Sequence, residues 1–209
     1  MTNIEKRFYA MTSVEVRAKP AATEGETREG IAHGYAAVFN SDSEDLGCFV
    51  ERIRPGAFAK SLSEGRNVYA LWSHDVAMPL GSTASGKLKL EEDERGLRFE
   101  LDTIRMTPAQ LSALEDGDLR MSFGFSVREQ LWAEHDDGTV ERELIEVDLF
   151  EVSFVISPAY PETEAALRSL EAWQATRSDD TTPEAAANAT ARIERLKEVL
   201  AREIDRRLS

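Results

Sequence analysis

Ser122 lies in the stretch DLRMSFGFSV (118–127), between a methionine and a phenylalanine, in a segment that alternates like a strand. A serine there is either a small hydroxyl tolerated on a sheet or a nucleophile. Serine is a poor nucleophile until a neutral imidazole takes its proton, and the imidazole in turn needs a group that orients it. The chain offers three histidines, His33, His74 and His135. His135 sits in the polar run EHDDG and reads as a solvated turn residue. His33 lies mid-strand beside Gly34 and reads as a surface or half-buried side chain. His74 ends the apolar run VYALWSHD, so a sheet can hold it while its ring reaches a cleft. Taken alone, a structural role is the simpler reading of His74. An acid from the last long strand-like run, 140–157, would complete a triad with Ser122 and His74. A Cys48–His74 dyad is the rival, although Cys48 follows an acidic loop that raises a thiol pKa and does not activate it.

Other chemistries lack their residues. The chain has no H-E-x-x-H, and one cysteine cannot build a structural zinc site. It also lacks G-x-x-x-x-G-K-[ST], and MSFGF is not the G-x-S-x-G elbow of the α/β hydrolases. No motif asks for a cofactor. A formal net charge of -14 without a dense Lys/Arg cluster argues against nucleic acid as a partner. No apolar run of membrane-spanning length and no secretory signal occur, and a single cysteine fits a reducing cytoplasm.

Period-2 runs at 13–18, 31–40, 48–53, 67–75, 87–92, 96–103, the stretch from 118 on, and 140–157 predict strands, with a turn at 135–138. Residues 54–65 predict a helix, with Pro55 in its first turn and Gly65 at its end. Residues 107–118 predict another, capped by Thr107 with Pro108 behind it. Residues 1–12 read as a loose start, 77–82 as a turn into a hairpin, and PAYPETEA as a break. The run 177–190 has a linker's composition. Ile193, Leu196, Leu200, Ile204 and Leu208 mark one face of a helix over 192–208 that would seek a partner helix or its own domain. Strands do not alternate regularly with helices, so a mostly antiparallel barrel or sandwich with helical decoration is expected rather than a parallel doubly wound sheet.

The segments GYAAVFN, ERIRPGAFAKSL, ALWSHD followed by PLG, GLRFE, LRMSFGFSV and LFEVSFVISPAYPET, in this order, resemble the caudovirus prohead serine proteases from about Ile31 to Ala166. The resemblance implies an α+β, β-rich fold like the herpesvirus assemblin protease: a mainly antiparallel barrel with surrounding helices, here carrying a C-terminal helical tail. It implies residues 1–30 as an N-terminal strand and loop, 31–166 as the protease domain and 167–209 as a helical tail with linker. The histidine motif falls on His74 in WSHD and the serine motif on Ser122 in MSFGF, as general base and nucleophile. Assemblins use a second histidine as third member, and none follows in the corresponding strand here. LFEVSFV offers Glu151 instead, with a surface glutamate as the competing reading. Strict alternation would put Glu146 and Asp148 on the opposite face from Glu151. The loop SPAYP is a candidate wall of the oxyanion site by analogy of fold.

The implied activity is a serine endopeptidase of the prohead, cleaving scaffold or the scaffold-like arm of the major capsid protein during capsid maturation. It would work in the bacterial host cytoplasm, inside the assembling prohead. Major capsid protein, scaffold, the chain itself through self-cleavage and a second copy as homodimer are the implied partners. The tail would dock on scaffold or be removed. The alternative is a non-catalytic capsid assembly or scaffold factor on the same fold. The enzymatic reading requires the Ser122 hydroxyl and the His74 imidazole to be neighbours in a shallow open groove.

Overall fold

A computed structural model of the protein describes residues 4–8, 14–18, 30–43, 46, 49–135, 139–156 and 161–177. Its strands are β1 (Glu5–Phe8), β2 (Val14–Ala18), β3 (Gly30–Val38), β4 (Phe49–Ile53), β5 (Tyr69–Trp72), β6 (Asp75–Ser82), β7 (Leu88–Glu92), β8 (Gly96–Asp102), β9 (Arg120–Glu134) and β10 (Val140–Val155). Its α-helices are α1 (Ala59–Ser63), α2 (Pro108–Glu115) and α3 (Pro161–Arg177). The result is a β-rich α+β fold with few helices.

One sheet runs β1-β9-β10-β5-β6, with β4 also on β10; the other runs β2-β3-β8-β7. Pairing is antiparallel except where β10 meets β4 and β5. β10 is long enough to pair with both along one edge: Val140–Leu144 take β4, and Glu151–Phe154 take β5. Both sheets face one apolar core. Ala32, Leu97, Phe99 and Leu101 come from one sheet, and Met121, Phe123, Phe125, Val152 and Phe154 from the other. Phe99 meets Phe154 edge-on across the interface, with centroids 5.7 Å apart. The alternation in MSFGF is thereby explained. Met121, Phe123 and Phe125 fill the core, which leaves Ser122 and Gly124 for the opposite face of the sheet.

Several expectations change. Residues 1–12 are not a loose start throughout, because β1 pairs antiparallel with β9. Its Glu5 and Arg7 are buried, so a charged composition conceals a strand at the edge of the sheet. The turn expected at 77–82 is the strand β6. Pro79 misled because it cannot donate to a ladder, but β6 is the edge of its sheet, where proline is tolerated. The helix expected over 54–65 is reduced to α1, and the turn before it is held by Glu92, which accepts from the backbone amides of Gly56 and Phe58. The break in the sheet expected at PAYPETEA holds, since β10 ends at Val155; what was not expected there is α3, where Trp173 stacks on Trp132 and Leu170 packs with Phe49 and Val140. Residues 178–190 of the expected linker and the whole helix expected at 192–208 lie outside the described residues. So do Cys48, residues 157–160 of the SPAYP wall and residues 136–138 of the expected turn. No helix among the described residues is long and apolar enough to cross a membrane.

Candidate active site

β5 and β6 are joined by two residues only, since Trp72 pairs with Asp75. The type I′ turn of a two-residue hairpin needs positive φ at both turn positions, a demand usually met by Asn-Gly. Here Ser73 (φ 52°) and His74 (φ 59°) meet it, each at a cost of roughly 1–2 kcal/mol for an L residue. The Ser73 amide donates to Phe154 O at 2.9 Å, which fastens the turn to β10. His74 is therefore held in a tight, strained corner beside the C-terminal half of β10.

Glu151 sits on that half of β10. A register shift between Leu149 and Glu151 inserts an extra residue, Phe150. Val147 and Leu149 on one side of the bulge and Val152 and Phe154 on the other all enter the same core. Glu151 consequently points away from the core, and so does Asp148. This corrects the argument from strict alternation, which the bulge resets. Their partners separate the acids. Asp148 pairs with Arg128 at 2.5 Å and Arg66 at 3.3 Å, and Glu146 with Lys60 at 2.7 Å and Arg128 at 3.2 Å. Glu151 meets His74, with Nδ1 2.6 Å from Oε1. A carboxylate only accepts, so Nδ1 carries the hydrogen and a neutral ring keeps Nε2 as its basic nitrogen. The other carboxylate oxygen accepts from the Ser153 hydroxyl at 2.5 Å.

Ser122 lies on β9 directly across from Ser153. Its neighbour Gly124 lies across from Glu151. Cross-strand partners place Cβ atoms roughly 4.5–5.5 Å apart and diagonal ones somewhat farther. His74, Glu151 and Ser153 thus form one hydrogen-bonded cluster, and Ser122 lies on the neighbouring strand opposite Ser153. The Ser122 hydroxyl is not bonded to His74 but donates to Arg7 O of β1 at 2.9 Å, and the residue is fully buried. The expected open groove is absent at Ser122 in this conformation, because β1 covers that flank of β9. Beneath this contact is a buried network of two arginines and two glutamates. Arg7 bonds Glu51 (2.8 Å) and Glu5 (2.5 Å), and Arg142 bonds Glu5 (2.8 and 2.9 Å) and Glu51 (2.9 Å). Burial opposes charge on Glu5, but the hydrogen bond from Arg142 and the charges of Arg7 and Arg142 outweigh it. They hold its pKa at about 2, down from 4.5.

The remaining histidines are elsewhere. His33 is 4.0 Å from Glu15 on the other sheet, and exposed His135 is 3.3 Å from Glu141. Among the described residues no group of three His, Cys, Asp or Glu side chains could hold a metal ion.

The family model for the caudovirus prohead serine protease matches residues 12–176. The chain belongs to that family. A curated relative, the prohead protease of Enterobacteria phage HK97, is 37% identical over 109 residues, covering 49% of this chain and 45% of the relative. The match therefore spans less than half of that relative's length. No solved structure matches the chain.

In this prohead protease family member the sequence pointed to His74, Ser122 and Glu151, and the fold draws Glu151 to His74 and sets Ser122 one strand away. Ser153, Gly124 and Arg7 were not singled out. Ser153 had a weak signal, since in a strand the residue two after Glu151 shares its face. Arg7 had none, because its contact with Ser122 spans 115 residues of chain.

Proposed function

We propose that this chain is a serine endopeptidase of capsid maturation, acting inside the assembling prohead in the bacterial host cytoplasm. Its substrates would be scaffold protein or the scaffold-like arm of the major capsid protein. The observation that carries the reading is the 2.6 Å contact of His74 Nδ1 with Glu151, in a cluster one strand from Ser122, within a family of serine proteases. Ser122 Oγ attacks the scissile carbonyl carbon, and His74 Nε2 takes its proton and returns it to the leaving amine. Glu151 holds the ring and offsets the imidazolium charge. Water then attacks the acyl-enzyme and releases the second product. For attack, the Ser122 hydroxyl must leave Arg7 O and turn to the imidazole, so the described conformation corresponds to a resting state.

The fold is read as a relative of the assemblin barrel, with residues 31–166 as the protease domain, 1–30 as the N-terminal strand and loop, and 167–209 as the helical tail. That tail would dock on scaffold or be removed by self-cleavage, and the active form would be a homodimer. A second reading, a non-catalytic capsid assembly factor, is favoured by one observation: Ser122 is buried with its hydroxyl committed to a backbone carbonyl. Co-expression with the cognate major capsid protein separates them by intact mass. A capsid subunit shortened by wild type but not by Ser122→Ala supports the protease. An unshortened subunit with both supports the assembly factor.

A further inference from the structure

The Glu151 carboxylate is seated by two residues that the triad does not use. Ser153 is fully buried and donates to Oε2 at 2.5 Å, while Oε1 accepts from His74 Nδ1 at 2.6 Å. Both oxygens are thus bound from two sides, which fixes the plane of the carboxylate as well as its position. Across the ladder, Gly124 leaves the space that the carboxylate fills. A Cβ at 124 would stand 2.9 Å from Glu151 Cγ and 3.0 Å from Cδ, and closer still to Oε1. Any side chain there must displace the acid. The backbone of Gly124 does not require glycine for conformational reasons, because its φ is not positive. The glycine in MSFGF is therefore explained by the acid above it.

We infer that Ser153 is a positioning residue of the proteolytic centre, holding Glu151, with Gly124 as the other half of its seat, in the orientation that sets His74 toward Ser122. The inference rests on the proposed Ser122–His74 chemistry. An ionised carboxylate can accept on both oxygens at once, from the Ser153 hydroxyl and from His74 Nδ1, and such a carboxylate is what an imidazolium formed during attack requires. Removing the donor leaves Oε2 buried without this partner and frees the carboxylate to rotate away from Nδ1.

A phosphonofluoridate probe tests this without a known substrate. Ser122 Oγ forms a bond to phosphorus, the P–F bond breaks, fluoride leaves, and the serine proton passes to His74. The concentration dependence of labelling separates the maximal rate from the probe's binding constant. Ser153→Ala is expected to lower the maximal rate roughly ten- to hundredfold, the loss of a hydrogen bond to a charged group, with binding changed less than about twofold. Ser153→Thr, which keeps the hydroxyl, should recover most of the rate. Gly124→Ala leaves Ser153 intact and should slow labelling comparably, so it reads the same seat if Ser153→Ala fails to fold. Ser122-dependent labelling that proceeds in Ser153→Ala at the wild-type maximal rate would overturn the role of Ser153. If Ser153→Ala does not fold, a wild-type rate in Gly124→Ala overturns it equally. Labelling of wild type and Ser122→Ala at the same rate would instead sink the underlying chemistry, and this inference with it.

Discussion

Glu5→Gln removes one charge from the buried network while keeping nearly the same shape. Glu5 accepts from Arg7, from both terminal nitrogens of Arg142 and from Ser169. With its pKa at about 2 in the fold and 4.5 as the ordinary value, Glu5 is ionised more readily folded than unfolded. A depressed pKa contributes stability above the unfolded value, and that stability is lost as pH falls through the folded value. The difference corresponds to about 3 kcal/mol at neutral pH, lost between about pH 4.5 and 2. Independently, breaking a buried ion pair by removing one partner costs roughly 3–5 kcal/mol. The two routes agree. At about 2–4 °C per kcal/mol for a chain of this size, Glu5→Gln should lower Tm by roughly 6–20 °C at pH 7. The assay is unfolding of wild type and variant across pH. Glu64, held at about pKa 2 chiefly by its hydrogen bond from Arg128, also titrates in this window. It does so in both proteins, so it drops out of the difference. The gap between the two proteins should narrow toward pH 2.5. A gap of the same size at pH 7 and pH 2.5 would refute the reasoning, because the stabilisation would then not come from the ionised Glu5.

Three further outcomes are expected. Glu151→Gln should slow the reaction of Ser122 with the phosphonofluoridate by roughly three to four orders of magnitude, less than loss of Ser122 itself; a drop under tenfold would remove Glu151 from the triad. In Gly96→Ala the new Cβ would fall inside contact distance of the Ala37 carbonyl oxygen and 3.0 Å from Val38 Cα. Neither backbone atom can swing aside, so chemical denaturation should show a loss of roughly 1–3 kcal/mol or more. Thr107→Ala breaks the capping box with Gln110 at the start of α2 and should cost about 1 kcal/mol, read as a Tm lower by roughly 2–4 °C with phosphonofluoridate labelling unchanged.

Most strands were legible because half-buried strands alternate and turn residues punctuate them, as β3, β7, β8 and β9 show. The capped helix α2 was legible for the same local reason: Thr107 and Pro108 are chemical signals at fixed offsets. What failed was non-local. β1 forms at the edge of its sheet because its buried Glu5 and Arg7 find Glu51 and Arg142 far along the chain, and no window of sequence contains that pairing. β6 was hidden by Pro79, whose tolerance depends on being at a sheet edge. At the site, the residue types offered His74 and Ser122 and the family resemblance added Glu151, but the bulge at Phe150 was invisible and with it the shared face of Asp148 and Glu151. The seat formed by Ser153 and Gly124 needed the register of β9 against β10, which the order of residues does not state.

The central claim is that Ser122 is the nucleophile and His74 its base. Peptide mapping by mass spectrometry after phosphonofluoridate treatment tests it most directly. The account predicts one adduct, on the peptide containing Ser122, and its loss in His74→Ala protein that remains folded. An adduct on Ser153 or another serine, or undiminished labelling of Ser122 without His74, would contradict it.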